Sequence, residues 1–210
     1  MSQTNVESKR RELAELRTRV AQLEDELAGE PRNSDWTRSY YLTYYATTGF
    51  FLGMVGALTS LIFNIAGAPL AGKDPLQLIK VYLTFGLGEK ALDPAFDNGM
   101  ALMIGICLYI ATGMLIGIPF QVVLSRYAPH AGLGVRMVWA TGLALAIYFV
   151  NFYLLLSWLQ PLLFGGHWII DQQQLPWWVA VATHLVFGWT MAVIYPLGTW
   201  QPYRLQTEPS

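Results

Sequence analysis

The chain has 210 residues, of which 54% are hydrophobic, 14% aromatic and only 13% charged, against about 25% charged in an ordinary soluble domain. A formal net charge of −1 supplies no global field to draw the chain to nucleic acid or to a strongly acidic partner. One cysteine, Cys107, excludes an intrachain disulfide, and no Cys/His spacing suits a structural metal.

More than half of the charged residues precede Thr37, and the remainder punctuate four long apolar stretches. That distribution predicts an all-α protein: a cytoplasmic coiled-coil arm over residues 1–31, a four-helix transmembrane bundle over 32–204, and a short tail over 205–210. The opening MSQTNVESKRRELAELR has no apolar core, so no cleavable signal peptide is expected and the first span serves as its own insertion signal.

In the arm, the apolar residues fall at Val6, Leu13, Leu16, Val20, Leu23 and Leu27. From Leu13 on, their steps of 3, 4, 3 and 4 are those of a heptad seam rather than of a broad globular face. Valine among the a positions and leucine at d favours two parallel strands. In a parallel pair each g residue faces the partner's next e residue, which sets Glu12 against Arg17 and Arg19 against Glu24, both opposite in sign. Gly29 and Pro31 then stop the helix. The expected partner is a second copy of the chain, although a solitary solvated helix, or one docked on another protein, fits the same pattern.

The first span is expected over 41–66, entered through an aromatic belt of Trp36, Tyr40, Tyr41, Tyr44 and Tyr45. The others follow over 99–124, 135–158 and 176–200, each long enough to cross a hydrocarbon core of about 30 Å. Arg32, Arg38, Arg126, Arg136 and Arg204 gather on one side, whereas Lys73, Lys80 and Lys90 lie on the other. This bias places both termini in the cytoplasm. Between the first two spans, Asp74-Pro75 reads as a helix start, and the apolar run that follows, too short to span, predicts an interfacial or re-entrant helix over 75–87. Gly165-Gly166-His167-Trp168 with Trp177-Trp178 marks a second interfacial patch on the same side. Gly49, Gly53 and Ala57, then Gly113 and Gly117, recur at four-residue steps, forming ridges that let membrane helices approach closely.

Polar residues inside apolar spans are where chemistry is sought. His184 and Asn151 each fall about eight residues from the outer membrane face, or roughly 12 Å at 1.5 Å per residue. Asn64 is nearer that face, and Tyr109 reaches the same layer from the second helix. These four form a candidate ligand, headgroup or ion site opening outward beneath the Trp-rich connections, or a hydrogen-bonded layer that sets helix register. His184 alone lies within a span, with His130 and His167 in connections on opposite sides, so axial haem ligation within one chain is not expected. Met100 and Met103 suit Cu(I) but equally serve as core filler. No resident cofactor or metal is therefore expected. No paired carboxylates face the bilayer, and no nucleophile–base set or phosphate loop is present. Asp93, Asp97 and Asp171 are loop acids, and the broken helices or intramembrane carboxylates of a coupled transporter are not evident beyond kinks at Pro119 and Pro196.

The run LPWWVAVATHLVFGWTMAVIY, with Leu175-Pro176-Trp177 ahead of His184-Leu185-Val186-Phe187-Gly188-Trp189, resembles the final helix of the YagU-like bacterial inner-membrane proteins. Asp74-Pro75 and Asn151 stand where that family carries a Pro-containing segment and a polar third helix. The likeness covers roughly 41–200 and rests on the HLV run with its preceding LPW. It implies four helices and a bacterial inner-membrane address. The family's biochemical role is undefined, so it implies no activity. The arm departs from the family pattern and points to recruitment or organisation in the cytoplasm.

The function expected from these features is that of a non-enzymatic membrane protein, a scaffold or accessory subunit of a larger membrane complex, pairing as a parallel homodimer through its arm. The alternative is a small channel, carrier or ligand sensor built around the polar layer. Its expected company is the lipid bilayer and other membrane subunits, not nucleic acid.

Overall fold

The structure, a computed structural model, describes residues 3–29, 34–93, 96 and 98–200, without the side chains of 3–6, 24–40 and 71. Leu27 at the end of the seam, Glu24, Trp36, Tyr40 and the three arginines at 32, 38 and 204 thus lie outside the described side chains. The described residues are helical throughout, with turns and short connections and no strand. Residues 1–42 and 43–210 form two compact units.

The first unit carries α1 (Gln3–Gly29), a helix of 27 residues. It ends at the glycine that the sequence marks as its stop. Leu13, Leu16, Val20 and Leu23 are exposed by 50, 60, 46 and 41%, so this part of the apolar seam has no cover among the described residues of its own unit.

The second unit takes up α2 (Ser34–Gly67) from Thr43 onward. A 3-10 turn over Ala68–Ala71 closes at Gly72, whose φ of +65° requires the left-handed freedom of glycine. Then come α3 (Gln77–Leu87), a second 3-10 turn over Gly88–Leu92 and α4 (Gly99–Tyr127). The Asn98 side chain caps α4 by accepting from the Ala101 N–H at 3.1 Å. α5 (Leu133–Phe149) passes through a π-helical stretch, Val150–Leu156, into α6 (Ser157–Phe164). Last is α7 (Trp177–Ile194) with a 3-10 turn over Tyr195–Gly198. Pro196 therefore ends this helix and does not kink it.

Four helical stretches are long and apolar enough to cross a membrane: Tyr41–Leu70, Gly99–Tyr127, Leu133–Phe164 and Trp177–Gly198. The third is longer than the expected 135–158, because Leu162, Leu163 and Phe164 prolong the apolar run until Gly165, at φ +83°, turns the chain.

Glycines set how closely α2 and α4 meet. A Cβ on Gly49 would lie 2.7 Å from both the Gln121 Cβ and the Gly117 carbonyl, and one on Gly53 would lie 3.0 Å from the Gly117 Cα. Gly113 and Gly117 meet Ala57, Gly49 and Gly53 in return. The ridges noted in the sequence therefore pack against each other inside the bundle. α5 and α7 meet in the same way, where a Cβ on Gly188 would lie 3.0 Å from the Ala140 carbonyl and the Ala144 Cβ. Beyond this crossing the fully buried Gln121 reaches the Tyr195 carbonyl at 3.4 Å, and the Arg136 guanidinium lies 5.4 Å above the Tyr195 ring.

The two connections at the opposite end fold into the core. Leu78, Ile79, Val81, Ile169 and Leu175 are buried in the same cluster as residues of α2, α4, α5 and α7. Ile79 packs on Gly105, so α3 lies directly on α4. α3 begins two residues later than the Asp74-Pro75 signal predicts. The reason is that the Asp74 carboxylate accepts from the Leu76 N–H at 2.7 Å and forms a turn ahead of the helix.

Gly53→Leu and Gly117→Leu are each expected to lower stability by about 1–3 kcal/mol through overpacking. Gly142→Leu, at a position with no atom within 4 Å of its Cβ, is expected to change it little. Unfolding of the purified protein in detergent checks this. Equal loss at all three positions would contradict the packing.

Candidate functional site

Among the described residues of the 43–210 unit, two cavities hold polar side chains of the expected layer. The first, of about 60 Å³, sits at the end where the two connections meet and has Asn64, Lys73, Gln77 and Gln174 among its polar lining, with Phe63 and Trp178 beside them. Direct bonds hold the connections together there. Lys73 Nζ donates to the Gln173 carbonyl at 2.6 Å, and Gln77 Nε2 donates to Gln174 Oε1 at 2.7 Å. Deeper, the fully buried Gln160 donates to Thr84 Oγ1 at 2.8 Å while its oxygen accepts from the Ile169 N–H at 2.9 Å. One amide thus fixes α3, α6 and the connection after α6. Asp171 accepts from the Gln173 N–H at 2.8 Å, which assigns that loop acid to a turn.

Lys80, 7% exposed, pairs with Asp74 at 2.8 Å. The hydrogen bond from Lys80, followed by that from the Leu76 N–H, holds the Asp74 carboxyl below the usual carboxylate range.

The second cavity, of about 50 Å³, lies among α2, α3, α4 and α7. Its polar lining is Ser60, Tyr82, Tyr109, Thr112, Thr183 and His184, and Phe120 and Phe187, with ring centroids 5.4 Å apart, contribute apolar wall. Tyr109 and Ser60 share a hydrogen bond of 2.7 Å across α4 and α2. Asn64 Nδ2 reaches the Ser60 carbonyl and Thr183 Oγ1, both at 2.8 Å, linking α2 to α7. Asn64 lines the first cavity and Thr183 the second, so this bond lies between the two.

Of the four residues expected in a polar layer, the fold brings three together. Asn64 and Tyr109 belong to one network through Ser60, and His184 lines the cavity that Tyr109 and Ser60 share. His184 Nδ1 lies 2.8 Å from the Ala180 carbonyl. Its ring packs edge-on against Tyr148 and Phe152, with centroids at 5.6 and 5.9 Å. Asn151 is not in the layer. It lines neither cavity and makes no side-chain hydrogen bond among the described residues. Tyr148 and Phe152, four apart, present the face that meets His184, and Asn151 is turned from it by one residue. Met100 and Met103, 77 and 66% exposed, face away from the cavity.

Ser60, Thr183 and Tyr82 complete the site without having been singled out by sequence. Ser and Thr commonly bond their own helix and look unremarkable in an apolar run, and Tyr82 belongs to the short helix read as interfacial. No family model, curated protein or solved structure matches the chain.

Because the folded state lowers the Asp74 pKa, the pair stabilises the protein at neutral pH. This contribution is lost as pH falls below about 4. Asp74 is 41% exposed, so solvent screening holds it within about 1 kcal/mol. Asp74→Asn is expected to remove that part of the acid-side loss in a stability–pH profile. An unchanged acid limb in the variant would contradict this assignment.

Proposed function

We propose that the chain is a non-enzymatic, multi-pass protein of a bacterial inner membrane, with both termini cytoplasmic. In this reading it pairs with a second copy through α1 as a parallel coiled coil and serves as a scaffold or accessory subunit of a larger membrane complex. The observation that carries the reading is the exposed row Leu13, Leu16, Val20 and Leu23 on a 27-residue helix. A second copy is the occupant because the row keeps a/d spacing and because Glu12 and Arg17, like Arg19 and Glu24, are complementary across a parallel pair. Each exposed charge pair contributes only about 0.2–1 kcal/mol, so the pairs set orientation and the leucines supply affinity. About three heptads are marginal alone, and anchoring in one membrane raises the effective concentration that brings the helices together. The resemblance to the YagU-like proteins supports the bundle and the membrane address, and the arm is what this chain adds.

A second reading makes the bundle a small-ligand carrier or sensor. It is favoured by one observation, the polar-lined cavity beside the Asn64–Thr183 bond.

The purified protein is expected to be dimeric by native mass spectrometry, and Leu16→Glu with Leu23→Glu to make it monomeric without lowering its bundle's melting temperature. Retention of the dimer in the double variant would overturn pairing through the arm.

A further inference from the structure

Nearly all the protons in the second cavity are already directed elsewhere. Ser60 Oγ donates to the Ala57 carbonyl at 3.0 Å, Thr112 Oγ1 to the Leu108 carbonyl at 2.9 Å, and Thr183 Oγ1 to the Val179 carbonyl at 2.7 Å. A hydroxyl has one proton, so none of the three keeps one for a guest. With the Ser60 proton placed on the Ala57 carbonyl, Tyr109 is the donor in the 2.7 Å contact between the two hydroxyls. A carbonyl only accepts, so His184 Nδ1 carries the hydrogen that meets the Ala180 oxygen, and Nε2 of the neutral ring keeps its lone pair. Tyr82 is the exception. Its ring packs edge-on against Tyr109 at 5.1 Å, and its hydroxyl makes no hydrogen bond with another described residue.

The residues that line the cavity therefore carry lone pairs at Tyr109 Oη and His184 Nε2, with those remaining on the Ser60, Thr112 and Thr183 oxygens, and one O–H without a partner among the described residues, that of Tyr82. The complement of this set is a molecule with N–H donors and one carbonyl. About 50 Å³ has room for about four water-sized bodies, which limits the guest to a few heavy atoms. Charge narrows it further. No Asp or Glu lines either cavity, and Lys73 lines the adjoining one. A buried cation would lack a counter-charge, and an anion would face lone pairs.

We propose that this cavity binds a small neutral carboxamide, its N–H groups donating to Tyr109 and His184 and its carbonyl accepting from Tyr82. The apolar side of the guest rests on Phe120 and Phe187. This rests on the second reading above, that the polar layer is a site, and not on pairing through the arm.

The test uses three probes of nearly equal shape with the full-length protein in nanodiscs, followed by saturation-transfer NMR. They are acetamide, acetone, which has no N–H donors, and acetamidinium, which has donors and a positive charge. Acetamide is expected to bind at least tenfold more tightly than either of the others. Tyr109→Phe is expected to weaken acetamide by about three- to tenfold, the loss of one hydrogen bond, while leaving acetone unchanged. If Tyr109→Phe does not fold, Tyr82→Phe carries the test, because the hydroxyl it removes has no partner in the described protein; it is expected to weaken acetamide to the same degree. Acetone binding as tightly as acetamide would overturn the role of the N–H donors, and tighter acetamidinium would overturn neutrality, the site itself standing in both cases. Saturable binding by none of the three would overturn both the carboxamide and the reading of the layer as a site.

Discussion

Asn64 sits 6% exposed inside an apolar helix, where no bulk water satisfies an amide and a partner has to come from the protein. Its two N–H groups reach the Ser60 carbonyl and the Thr183 hydroxyl. One side chain thereby fixes the rotation of α2 and its height against α7. Ser60, held in place one turn earlier, shares a hydrogen bond with the Tyr109 hydroxyl and brings α4 into the same register. The glycine contacts let α2 and α4 come close, but glycines alone allow sliding. The hydrogen bonds choose one position among those that close packing permits.

The connection end follows the same constraint at a second level. α3 places Lys80 and Thr84 in the interior, and each has its answer nearby: Asp74 for the ammonium, Gln160 for the hydroxyl. The Gln160 oxygen then receives the Ile169 N–H and seats the connection after α6 over the bundle. A chain with four helices long and apolar enough to cross a bilayer thus also closes one end of its bundle with shorter elements. The two cavities lie on either side of the Asn64–Thr183 bond, the first against that cover and the second against the Phe120–Phe187 pair. Hydroxyls that bond their own helices make such a space stable in hydrocarbon, and leave it facing inward with lone pairs.

Much of the bundle is legible in the sequence because span length and apolar content are properties of the chain itself. Gly99 and Trp177 open their spans within a residue of the expected positions. Asn64, Tyr109 and His184 are legible for a related reason, since a polar group in an apolar run needs a partner wherever the helices pack. Asn151 shows the limit. Counting 1.5 Å per residue gives the depth of a side chain but not its direction around the helix, and the π-helical stretch from Val150 shifts that direction again. Gln121 and Gln160 carried the same signal as Asn64, an uncharged amide in an apolar run, and could have been found by it. The late start of α3 was not legible, because Asp74-Pro75 suits a turn and a helix cap equally, and it is the bond from the Leu76 N–H to the carboxylate that selects the turn.

Pairing through α1 and binding within the bundle concern two separate units of the chain, and either can hold without the other. Binding within the bundle depends on helices pinned at one register. The most direct test of that central claim is a double-mutant cycle of Asn64→Leu and Thr183→Val, read from reversible unfolding of the protein in bicelles. The account predicts a favourable coupling of about 0.6–1.7 kcal/mol, the range of interhelical hydrogen bonds in membranes. Additive effects, with no coupling between the two positions, would contradict it.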